Sequence, residues 1–252
     1  MADNSRDAIR AHGSGGLIVW LPALVGWGLL YWCATNMGSP LAQLTMPMSD
    51  WSAANWLAVF IMWAVMMAAM MLPSTMPMVS VFGALNRKRG EAGRTAAFVA
   101  GYLALWAVFG AAATGAQWTL QTSGLISPMI VSMSPALSGV LLVIAGVFQF
   151  TPLKHVCLSA CRSPLGFLLT DWRDGLWGAA AMGVRHGLYC LGCCWALMAL
   201  LFVGGAMNLL WIAALTLLVA AEKLAPKGEV LAKALGVVMI GAGAVRLIWP
   251  SS

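Results

Sequence analysis

The chain has 252 residues, of which 61% are hydrophobic and 9% charged. A water-soluble domain carries about 25% charged residues, so composition excludes a soluble globule of this size. The net charge of +6 needs no nucleic acid or other anionic partner, because the placement of the basic residues accounts for it. The partner that composition requires is a lipid bilayer.

Residues 1–16 form a polar tail with Asp3, Arg6, Asp7 and Arg10. It does not read as a cleavable signal peptide, because the apolar run behind it is long enough to span and lacks the usual small-residue cleavage pattern. Apolar runs follow at 17–35, 53–80, 95–118, 135–151, 176–205, 208–222 and 230–248. A span needs roughly 20 mostly apolar residues. The runs lack the alternation of a barrel, so backbone groups in lipid must be satisfied within helices. The expected fold is all-α: a polytopic transmembrane helix bundle of about seven spans, or six, since 135–151 and 208–222 are short. Residues 17–250 form one transmembrane domain, with a cytoplasmic cysteine-containing loop at 151–175.

With the amino terminus in the cytoplasm, Arg87, Lys88, Arg89, Arg94, Lys154, Arg162, Arg173, Arg185, Lys223, Lys227 and Lys233 fall on or near the inner side. The segments 36–52 and 119–134 carry no Lys or Arg. This is the positive-inside pattern. Pro73 and Pro77 should kink or end the second span. Gly183, Gly187, Gly192, Gly236, Gly241 and Gly243 read first as small residues that let membrane helices approach closely.

Six cysteines are present. Cys33 stands alone in the first span and reads as a small buried residue. Cys157 and Cys161 form a C-x3-C pair in the loop, and Cys190, Cys193 and Cys194 form a C-x2-C-C cluster inside an apolar run. At about 100° per residue, with His186 at zero, Cys190 falls near 40°, Cys193 near −20° and Met182 near −40°, with Cys194 at the edge near 80°. One helix face thus presents a histidine and two or three thiols. Both cysteine segments lie on the same side of the bilayer in either orientation.

The inner face is reducing, so disulfides are not expected, and the C-x2-C lacks the βαβ context of a thioredoxin-like relay. Thiolate with imidazole is the ligand set of zinc, copper(I) or an iron–sulfur cluster. The candidate metal ligands are Cys190, Cys193, Cys194, Cys157, Cys161 and His186.

Seven of the 17 methionines lie between Met62 and Met78. Met62, Met66 and Met70 share one face of the second span. Such a stripe is more often packing than ligation. Beside a thiol cluster it shifts the preferred metal toward copper(I), which adds Met66 and Met70 to the candidates. Glu222 could ligate, orient His186, or form a snorkelled ion pair.

Three stretches resemble a bacterial family of metal-binding integral membrane proteins: Met-Met-Ala-Ala-Met-Met-Leu-Pro-Ser (66–74), Thr-Pro-Leu-Lys…Cys…Cys-Arg-Ser-Pro (151–164) and Gly-Leu-Tyr-Cys-Leu-Gly-Cys-Cys-Trp-Ala-Leu-Met (187–198). One member type of that family is a membrane copper chaperone associated with a tyrosinase-like oxidase. The resemblance implies a bacterial inner membrane, a copper-enzyme acceptor or membrane complex as partner, and copper(I) on the five motif cysteines.

Two other readings remain: a membrane subunit of an oxidoreductase carrying haem or an iron–sulfur cluster, and an assembly protein stapled by zinc. No nucleophile–base pair, phosphate loop or carboxylate pair is present, so hydrolytic or transfer enzymology has no support. Binding is expected rather than catalysis.

Overall fold

The computed structural model describes residues 3–47, 50–91 and 93–249. Their regular structure is helical: α1 (Asp3–Thr35), α2 (Pro40–Leu44), α3 (Ala53–Met71), a 3-10 turn (Pro73–Thr75), α4 (Met76–Lys88), α5 (Arg94–Thr122), α6 (Pro135–Phe148), α7 (Pro152–Arg162), α8 (Pro164–Asp171), α9 (Gly175–Ala199), α10 (Leu201–Gly204), α11 (Leu209–Leu224) and α12 (Gly228–Ile248). Only two isolated β-bridges accompany them among the described residues. The fold is the all-α bundle expected.

The helix starts follow one local rule. A short polar side chain caps the first turn, and proline often takes the first helical position, where its missing N–H costs nothing. Ser134 and Thr151 accept from the backbone N–H of Leu137 and Lys154, with Pro135 and Pro152 behind them. Ser52 and Asn55 form a reciprocal capping box at α3, and Asn208 caps α11. The kink expected at Pro73 and Pro77 is the 3-10 turn between α3 and α4. There the hydroxyls of Ser74 and Thr75 donate to the carbonyls of Met71 and Leu72, each at 2.8 Å.

Five helical segments are long and apolar enough to cross a membrane, or six if α6 and α7, bent by 65° at their junction, count as one. The run at 208–222 is a helix, but α11 has 16 residues, about 24 Å at 1.5 Å per residue, short of a full span. Its start adjoins Gly204, which pairs with Val131 in the 123–134 segment. Its other end is held by α7, where Arg162 donates to the carbonyls of Glu222 and Pro226.

Glycines set the two tightest helix pairs. On α5 and α9, a Cβ at Gly101 would collide with the Ala180 carbonyl and one at Gly183 with the Phe98 carbonyl. On α6 and α12, Gly139 and Gly146 face the backbones of Gly243 and Gly236. The packing role expected of Gly183, Gly187, Gly236 and Gly243 holds. Gly241 differs, because nothing lies within 4 Å of its added Cβ.

The segment at 151–175, expected as a loop, holds α7 and α8. Its helicity puts Cys157 and Cys161 on one face, four residues apart. The bend after α6 lays α7 across α9.

Candidate metal centre

The thiols collect where α7, α9 and the end of α11 meet, beside the proline turn after α3. Cys190, Cys193 and Cys194 are buried on α9, with His186 one turn earlier. Cys157 is buried and Cys161 half-buried on α7. Gly192 makes room for this second motif: a Cβ there would stand 2.6 Å from Cys157 Sγ.

Cys161, Cys193, Cys194 and Cys190 lie close enough for each thiol to feel the next electrostatically. The thiols of Cys193 and Cys194 also donate to the Cys190 carbonyl, at 3.1 and 2.9 Å. The two cysteine motifs, far apart in sequence, therefore lie side by side where α7 packs on α9. Among the described residues, no three His, Cys, Asp or Glu side chains stand assembled as a metal-holding group.

At the Cys190 end sit two residues that the motifs did not single out. The Tyr102 hydroxyl lies 3.0 Å from Cys190 Sγ and 3.4 Å from the Met71 carbonyl. The Lys223 ammonium donates to Cys190 Sγ at 2.9 Å and to Ser74 Oγ at 3.2 Å. The readable signals were a tyrosine inside an apolar run and a lysine closing another. Lys223, in the last turn of α11, is buried in the protein, 7% exposed.

Glu222 does not orient His186. Its carboxylate accepts from Lys154 Nζ at 2.6 Å, and both side chains are buried. This pair and the Arg162 contacts fasten α7 to α11. The ion-pair alternative for Glu222 is the one realised, though in the interior rather than as a snorkelled surface contact.

His186 is 3% exposed and its Nδ1 has no hydrogen-bond partner. Its ring sits among Phe98, Tyr102 and Phe167, with centroids 5.4 to 6.0 Å away. A buried polar atom without a partner is unusual and calls for an explanation. A cavity of about 40 Å³ lies beside it, lined in part by Ser74, Met78, Cys161, Arg162, His186 and Lys223. Soft thiol sulfurs with an unpartnered imidazole nitrogen fit a soft metal ion.

Met66 and Met70 are buried in α3, which packs chiefly on α5 and α1 rather than on α9. The part of this span that reaches the thiols is its end, through the Met71 carbonyl, Ser74 and Met78. Met182, on the histidine stripe, instead accepts the Arg173 backbone N–H at 3.3 Å. Cys33 lies apart, lining an apolar cavity of about 330 Å³ with Leu30 and Met62.

The sequence model of one family, PpoB2, described as a copper chaperone, matches residues 60–246. The chain belongs to this copper chaperone family. The matched range takes in α5 to α11 entire and so both cysteine motifs, Tyr102 and Lys223. It gives no support to the haem, iron–sulfur or zinc readings. No curated protein and no solved structure matches the chain.

Proposed function

We propose that the protein is an integral membrane carrier of copper(I), which it passes by thiol exchange to a copper enzyme. The observation that carries this reading is the row of neighbouring thiols, Cys190, Cys194, Cys193 and Cys161. Thiolate is a soft ligand suited to copper(I). Thiols that meet in pairs suit an ion content with two ligands better than zinc, which takes four in structural sites. Each transfer step makes one copper–sulfur bond and breaks another, so the ion moves along the row without being released. Cys161, half-buried beside the small cavity, is the exit end; Cys157 and the His186 Nδ1 are auxiliary donors. Met78 takes the thioether role first considered for Met66 and Met70, which serve as core packing.

The membrane assignment rests on the apolar outer surface. Large side chains such as Leu169, Trp177 and Leu210 are more than four-fifths exposed, and a contiguous apolar exterior of this kind needs lipid. Trp56 and Trp118, with ring centroids 5.8 Å apart, suit the aromatic belt at the opposite end from most of the basic residues. That charge distribution orients the amino terminus and the thiol row toward the cytoplasm.

Metal analysis of the purified protein, with copper(I) titration against a chromophoric chelator, tests the proposal. The wild type should bind copper(I), and Cys190→Ser and Cys193→Ser should each lose affinity by about a hundredfold or more, of the order seen when a metal ligand or its support is removed. Cys33→Ser should match the wild type. A copper-free wild type, or serine variants of undiminished affinity, would refute it.

A further inference from the structure

Lys223 is a buried cation without a carboxylate. Among the described residues its ammonium donates to Ser74 Oγ and Cys190 Sγ. The adjacent carboxylate, Glu222, is already paired with Lys154, and no other carboxylate lies at ion-pair distance from Lys223 among the described residues. A buried charge without a counter-charge is strongly disfavoured. The group that Lys223 touches is a thiol at one end of the row.

We propose that Lys223 sets the charge selectivity of the site, its ammonium balancing the single negative charge of a soft monovalent ion held by two thiolates. This deepens the copper(I) reading and rests on it. Two thiolates and one monovalent ion sum to −1, which the ammonium neutralises. A divalent ion on the same two thiolates sums to zero and leaves the ammonium uncompensated. Neutrality for a divalent ion needs a third thiolate, and no three-ligand group stands assembled among the described residues. Tyr102 and Ser74 hold the geometry, since the hydroxyl of each lies within 3.2 Å of Cys190 Sγ or of Lys223 Nζ.

The test uses the full chain in detergent, with silver(I) and copper(I) as monovalent probes and zinc(II) as the divalent one. Lys223→Met keeps the volume and removes the charge; Lys223→Gln keeps a donor for Ser74 and Cys190 and removes the charge. Both should weaken monovalent binding by about tenfold or more while zinc affinity holds or rises. Lys223→Arg should restore most of the monovalent preference. A variant that loses monovalent and divalent binding equally, or an unchanged ratio in whichever neutral variant folds, overturns the selectivity role while leaving the copper reading intact. A wild type that binds neither monovalent ion overturns both.

Discussion

At the scale of single residues, the site depends on space and charge that a motif search does not see. Gly192 occurs between two cysteines of a C-x2-C-C run, yet its role is to admit a third cysteine from another helix. Gly192→Ala should push Cys157 off α9, at a cost of about 1–3 kcal/mol typical of overpacking. Mass spectrometry should then show faster alkylation at Cys157, with Cys33 unchanged. The Lys154–Glu222 pair is the other fixed point. Lys154→Met strands a buried carboxylate and should lower stability by about 3–5 kcal/mol, whereas the double variant Lys154→Met/Glu222→Leu should recover most of it. Thermal unfolding in detergent measures both. The cysteines, the histidine and their common helix face were legible in the sequence, because helical period alone aligns them. Tyr102 and Lys223 were not, because their relation to Cys190 is set by α5 and α11, and no local period relates those helices to α9.

At the scale of elements, the decisive arrangement is α7 lying across α9. From sequence alone 151–175 reads as a loop carrying Cys157 and Cys161; the Thr151 cap and Pro152 start a helix there, and the bend between α6 and α7 turns it onto α9. What holds α9 in place is its backbone-close contact with α5. Gly183→Ala puts a Cβ into the Phe98 carbonyl, where no flexible side chain can yield. It should separate the two helices, lower the melting temperature, and weaken copper(I) binding through loss of the Tyr102–Cys190 contact. Gly28→Ala, where an added Cβ meets nothing within 4 Å, should leave both measurements at wild-type values. For the methionine run, a shared helix face says which side chains are together, not which neighbour they meet. The packing of α3 on α1 and α5 decides that, and it turns Met66 and Met70 into core.

At the scale of the whole molecule, the basic residues are unevenly placed, with Arg246 in the last turn of α12 the exception to the inner-side pattern. Arg89 and Arg94 gather near Asp174 and the Trp172 ring, and Arg185 pairs with Asp171 at 2.8 Å. The 36–52 and 119–134 segments have no Lys or Arg. Reporter fusions should therefore place 123–134 outside and 172–174 inside the membrane. The number of crossings turns on where helices end, and α11, at 16 residues, is too short to count by length.

The central claim is that two cysteine motifs make one site, and the measurement that bears on it most directly is a double-mutant cycle of copper(I) affinity between Cys161 and Cys193. Residues in one network are non-additive, whereas independent sites add. We expect the double variant to lose clearly less affinity than the summed losses of Cys161→Ser and Cys193→Ser. Additive losses, or single variants that each retain an intact site bearing the other motif, would contradict it.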